Sequence, residues 1–229
     1  MLPNQNDNAR QRVVYSGQFA RTEGYQVVIK NTYFLLGLTL AFSALCAMFS
    51  MSAPQLNIFV TLIGVYGLMI LTYKLSNSAW GLLAVFAFTG FMGYTLGPLL
   101  NMVTHTFSNG NQIIMNAFGG TALIFFALSG YVLTTKKDFS FMGGFLMVGT
   151  IVAFIGVIAG LFFHTPMLQL MISGMFVLLS SGWILWQTSE IINGGETNYI
   201  RATIGLYVQL YNLFVSLIQL ISAFSGNRD

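Results

Sequence analysis

Charge constrains this chain more than any other feature, because it is missing over long stretches. No Asp, Glu, Lys or Arg occurs between Lys30 and Lys74, between Lys74 and Lys136, between Asp138 and Glu190, or between Arg201 and Arg228. Only 7% of the 229 residues are charged, against about a quarter in soluble domains. The mean hydropathy is +0.74. A soluble fold this poor in charge could not cover its surface, so the chain reads as an integral membrane protein.

The charge-free windows also count the spans. A helix needs about 20 apolar residues to cross the hydrocarbon core. The first three windows each hold two spans and the last holds one. The predicted helices cover 33–52, 56–73, 80–101, 112–134, 141–163, 167–187 and 202–224. An outer-membrane barrel is excluded, since its strands run about 10 residues with alternating polarity. These runs are long, continuous and rich in Leu, Phe, Met and Ala. The expected fold class is all-α, with seven transmembrane helices in a domain over 30–229. Residues 1–29 are rich in Asn, Gln and Arg and read as a mobile polar cytoplasmic tail.

The basic residues give the orientation. Arg10, Arg12, Arg21 and Lys30 precede the first span, Lys74 follows the second, Lys136 and Lys137 follow the fourth, and Arg201 precedes the seventh. All fall on one side, with Arg228 the exception. The positive-inside rule makes that side cytoplasmic. The N-terminus is expected inside and the C-terminus outside. The sequence pI near 9.1 follows from these cations. Anionic lipid headgroups are their expected partners, and no nucleic acid is expected. Cys46 is the single cysteine and lies within the first span, so no intrachain disulfide is expected. No cleavable signal peptide is visible, which leaves the first span as the insertion signal.

Within the third span, Gly90, Gly93 and Gly97 share one face, and Gly93 with Gly97 makes a small-xxx-small pair that admits another helix closely. Pro98 should kink the same helix near its outer end. Packing and a functional gate are both open readings of this face. Trp183 and Trp186 read as interfacial belt residues. No catalytic motif is present: no HExxH, P-loop, GxGxxG or GxSxG. His105 and His164 fall near the outer face without acidic companions, too few ligands for a metal site. Neither a cofactor nor an enzymatic activity is expected.

The seventh span differs from the rest. At 100° per residue, Gly205, Gln209, Asn212, Ser216 and Gln219 fall on one face, while Leu206, Leu210, Leu213, Leu217 and Ile221 fall on another. A bare amide facing hydrocarbon is costly, so this stripe should face protein or water. Interhelical hydrogen bonding and the lining of a cavity are equally open. Just before this span, Gln187 is expected to end helix six, with Glu190 one turn on. Glu190 is expected to face the loop or to pair with Arg201. Glu196 and Arg201 bracket the Gly194-Gly195 turn, and Thr197 with Asn198 could cap helix seven.

Several stretches are recognisable together. They are Lys30 to Leu36, Ala87 to Leu100, Gly120-Thr121-Ala122, Tyr131 to Thr135, and Gly194-Gly195-Glu196-Thr197-Asn198-Tyr199-Ile200-Arg201-Ala202-Thr203. From about Lys30 to the C-terminus the chain resembles the Bax inhibitor-1 family of seven-helix membrane proteins. The closer match is to a proteobacterial inner-membrane member that modulates the membrane protease FtsH. The resemblance implies a central seventh helix enclosed by the other six, and FtsH as a partner. It also implies an alternative, since the family includes pH-sensitive calcium-leak channels. In those members two intramembrane aspartates on helices six and seven share a proton and latch the pore. The matching positions here are Gln187 and Gln209, and neither can ionise; Glu190, one turn away, could take part in the latch only by facing inward. That departure shifts the expectation from calcium or other cation leak toward modulation of FtsH.

Overall fold

A computed structural model describes the backbone of residues 5–163 and 165–225, and the side chains of residues 24–160, 162–163 and 165–225. The described residues form seven helices: α1 (Gln5–Ser50), α2 (Ile58–Leu75), α3 (Trp80–Thr106), α4 (Gly110–Thr135), α5 (Met142–Phe162), α6 (Pro166–Asn193) and α7 (Tyr199–Ser225). Each contains a segment long and apolar enough to cross a membrane. Helix is what such a sequence must form in lipid, where every backbone N–H and C=O has to be satisfied within its own segment.

The ends follow local chemistry. The Asn57 side chain accepts from Phe59 N and caps α2. Pro166 occupies the first turn of α6, where its missing N–H costs no hydrogen bond. Gly194 ends α6 with φ 81°, a left-handed conformation that suits glycine. Three boundaries differ from expectation: α3 runs on to Thr106, past the expected end at 101, and the other two are those of α1 and α6. α1 begins at Gln5, so the backbone from 5 to 29 is helical and continuous with the first span. No proline lies between Pro3 and Pro54 to stop it. α6 runs to Asn193, so Gln187 does not end it and Glu190 lies inside it. The extra turns are held because Thr188, Ser189 and Ile191 are buried against the bundle. There the Ser189 hydroxyl accepts from Phe139 N at 2.9 Å.

The main core gathers around α7. Its Ile200, Ile204, Leu206, Tyr207, Leu210 and Leu213 are buried against Leu35 and Leu36 of α1, Val85, Phe88 and Met92 of α3, Phe125 of α4, and Ile184 and Ile191 of α6. Helices in lipid associate by close packing and hydrogen bonds, since hydrocarbon tails are as apolar as leucine. α7 accordingly presents its leucine face to protein. It touches α1, α2, α3, α4 and α6, but not α5. Among the described residues the enclosure by six helices is therefore incomplete: α5 packs on α6 alone. Leu146 and Ala153 of α5 meet Leu179 of α6 there, and the Trp183 indole donates to Thr150 Oγ1 at 3.0 Å.

The glycine face of α3 is a packing surface. A Cβ on Gly90 would meet the Phe42 ring at 2.6 Å, and one on Gly93 or Gly97 would strike the α1 backbone at Ser43 or at Ser50. The absence of side chains at these three positions lets α1 and α3 lie against each other.

Candidate functional site

Tyrosines anchor the middle of α7. The Tyr207 hydroxyl lies in the apolar core and bonds with Ser43 Oγ of α1, and it donates to Thr89 O of α3 at 3.2 Å. One turn on, Tyr211 shares a hydrogen bond of 2.9 Å with Thr95 Oγ1 of α3. A buried phenol needs a polar partner, and these two fix the rotation of α7 against α1 and α3. That rotation turns the opposite face, with Gly205, Gln209 and Asn212, toward a cavity of about 900 Å³. Residues of α2, α3, α5, α6 and α7 line this cavity.

Gln187 of α6 reaches the same cavity. It is packed against α7 where Gly205 leaves room, since a Cβ there would lie 2.8 Å from Gln187 Oε1. Gln187 Oε1 is buried without a hydrogen-bond partner, and so is the Ser180 hydroxyl two turns earlier on α6. Gln187, Gln209 and Asn212 thus lie around one space. The amide stripe then divides. Ser216 is buried away from the cavity lining. Gln219, further out, accepts from Ser173 of α6 at 2.6 Å. Cavity lining and interhelical bonding both occur, at different depths of one helix face.

Pro98 sits within an unbroken α3 and also lines the cavity. Trp183 and Trp186 stand edge to face, with centroids 5.1 Å apart, between α5 and the cavity. They clamp α5 to α6, a role that the belt reading missed. Tyr207, Ser180 and Thr95 were not among the expected site residues. A tyrosine in mid-span, with its need for a partner, is the sequence signal that could have found the first.

The α6–α7 turn forms a second polar centre at the basic end of the bundle. The Glu190 carboxylate folds back onto Gly195 of its own turn, and Gly195 N and Glu196 N both donate to Glu190 O, at 2.8 and 3.2 Å. Glu190 is not among the cavity-lining residues. Arg201, the partner in one of the two settings expected for Glu190, instead donates from Nε to Ser76 Oγ at 2.9 Å. Asn198 caps α7 by accepting from Ile200 N and Arg201 N, at 2.9 and 3.2 Å. Its amide donates to Ser76 O and Asn77 Oδ1, at 3.0 and 2.8 Å. Glu196 accepts from Asn198 N at 2.8 Å. The turn is thereby tied to the α2–α3 connection. Nearby, the exposed Asp138 carboxyl is held below its usual range by the backbone N–H of Ser140. His105 lies in the last turn of α3, and His164 lies outside the described residues. Among the described residues, no three of His, Cys, Asp and Glu gather where a metal could be held.

Residues 25–226 match the family model described as "Inhibitor of apoptosis-promoting Bax1". The chain belongs to the Bax inhibitor-1 family. Among its Bax inhibitor-1 relatives, the "Modulator of FtsH protease YccA" of Escherichia coli K12 is 56% identical over 196 residues, covering 85% of this chain and 89% of that protein. An uncharacterised protein of Pseudomonas aeruginosa is 58% identical over 202 residues, covering 87% of this chain and 90% of its own. A membrane protein of Vibrio cholerae is 41% identical over 210 residues, covering 90% and 94%.

Proposed function

We propose that this chain is an inner-membrane regulatory protein that binds the FtsH protease and limits its proteolysis. The observation that carries this is the 56% identity, over 85% of the chain, to the protein named as the modulator of FtsH. The polar stretch 1–29 is the segment a protease that pulls on cytoplasmic tails would engage. It lies on the side that the positive-inside rule makes cytoplasmic, with the C-terminus periplasmic. The bundle behind it resists extraction through the α1–α3 glycine packing and the buried Tyr207 bonds. No catalytic step is assigned to the chain. Membrane lipids are its other partners.

The test is reconstitution with FtsH and an independent membrane substrate. The full chain slows degradation of that substrate, and the chain lacking residues 1–24 does not. A full chain without effect overturns the modulator reading. A truncated chain that still slows degradation overturns the role of the tail alone.

The cavity favours one second reading, a leak for calcium or other cations lined by Gln209 and Asn212. Flux into proteoliposomes decides it. A leak that survives Gln209→Leu with Asn212→Leu does not use this lining.

A further inference from the structure

The cavity beside α7 has a feature that protease modulation does not use. α2 and α5 form its two flanks, and among the described residues they make no contact with each other. α2 packs on α3 and α7, and α5 packs on α6. In a bilayer, a gap between two flanking helices opens toward lipid tails. The flanks suit that neighbour: Tyr66 on α2, and Phe154 and Val157 on α5. The floor does not. Ser180 is 1% exposed, and its hydroxyl has no partner; Gln187 Oε1, also buried, has none either. Both residues line the cavity. A buried acceptor without a donor is costly, more so where water is scarce.

Three features narrow what fills this space. No lining residue carries a charge, so an ionic headgroup would find no counter-ion inside. A pure hydrocarbon would leave Gln187 Oε1 and Ser180 Oγ unpaired. The cavity volume of about 900 Å³ lies in the range of small-molecule sites, about 300 to 1,000 Å³.

We propose that the cleft between α2 and α5 is a binding site for an uncharged single-chain membrane amphiphile, entering from the bilayer, whose hydroxyl head donates to Gln187 Oε1 once that amide end swings off Gly205 into the cleft. Its chain lies along Phe154, Val157 and Tyr66. Gln187 is six residues before the end of α6 at Asn193, which puts it about 9 Å from that end at 1.5 Å per residue. This is the depth at which a head anchored near the basic face of the membrane would sit.

The three tryptophans supply the readout. Trp183 and Trp186 line the cleft, and Trp80 is exposed elsewhere. In the full chain carrying Trp80→Phe, reconstituted in phospholipid nanodiscs, the probe is a monoacylglycerol with brominated chain carbons, which quench indole on contact. The expected result is saturable quenching that unbrominated monoacylglycerol reverses. Gln187→Leu weakens the apparent affinity about three- to tenfold, the loss of one hydrogen bond. Val208→Phe, which fills the cleft from α7, abolishes saturation. A brominated fatty acid, ionised at pH 8, and a brominated alkane quench only in proportion to their content in the disc. Quenching that is linear in the monoacylglycerol too means the cleft holds only water or bulk lipid, and overturns the proposal. So does equal saturation by the alkane or the ionised acid, or saturation unchanged in both variants. No protease is present in this assay, so its outcome is separate from that of the FtsH reading.

Discussion

Replacing Gly93 by Ala should destabilise the bundle, while replacing Gly37 by Ala should not, although both glycines lie inside membrane helices. A Cβ on Gly93 would lie 2.6 Å from Ser43 Oγ and 2.8 Å from the Ser43 carbonyl carbon, with the carbonyl oxygen closer still. Heavy atoms in good contact stand more than about 3 Å apart, and the Ser43 carbonyl oxygen is the nearest, so α1 must retreat by roughly 1 Å. Overpacking of this kind costs about 1–3 kcal/mol. Ser43 Oγ is also bonded to Tyr207, and loosening one interhelical hydrogen bond adds about 0.6 kcal/mol. The higher helix propensity of Ala returns up to about 1 kcal/mol. The net loss is about 1–3 kcal/mol. Gly37 has nothing within 4 Å of its added Cβ, so only the gain of about 0.4–1 kcal/mol remains. Reversible unfolding of both variants in mixed micelles measures the difference, expected at about 1.5–4 kcal/mol from these terms. Two variants of equal stability would refute the claim that the α3 glycines exist to admit α1.

Asn198→Ala removes both the cap of α7 and the tie to Ser76 and Asn77. The cap is worth about 1 kcal/mol and each tie about 0.5–1.5 kcal/mol. Unfolding should show a loss of roughly 2–4 kcal/mol, with faster proteolysis at the α2–α3 connection. Asp138 carries a pH dependence of known sign. Its folded pKa is lowered from 3.8 by the Ser140 N–H, so its contribution is present above the unfolded value and lost as pH falls through the lowered one. An NMR titration should place its midpoint below 3.8, and a midpoint above that value would contradict the Ser140 bond.

The seven spans were legible because desolvated charge is costly enough to exclude Asp, Glu, Lys and Arg from every membrane segment. The gaps between charges therefore mark the helices directly. The ends were less legible. α6 overruns its expected end at Gln187 because burial of Thr188, Ser189 and Ile191 stabilises further turns, and burial is a tertiary fact. The stripe on α7 was visible as a periodicity. Which of its residues face a cavity and which bond to α6 depends on how far α5 and α2 stand apart, and no local pattern encodes that. The role of Trp183 was hidden for the same reason: its partner Thr150 is 33 residues away on another helix.

Gly205 and Gln187 decide whether the α6–α7 contact is a latch. The family resemblance read from the sequence implies that calcium-leak members hold these helices with a proton shared between two carboxylates, at the positions of Gln187 and Gln209 here. Here Gln187 Oε1 has no partner, and the three heavy atoms nearest a Cβ on Gly205 all belong to the Gln187 side chain. A flexible amide end can swing into the 900 Å³ cavity beside it. Gly205→Ala should therefore cost less than about 1 kcal/mol, far less than an overpacking against backbone. In a Gln187→Ala background it should become neutral or stabilising, by up to about 1 kcal/mol from propensity. A double-mutant cycle over the two positions reads this directly as a coupling. If Gly205→Ala proves as costly as Gly93→Ala, the amide is not free to move. It must then be held by a partner, and Gln209, which lines the same cavity, is the residue to test. Such a result would restore a latch between helices six and seven built from amides, closed at every pH because neither end can ionise.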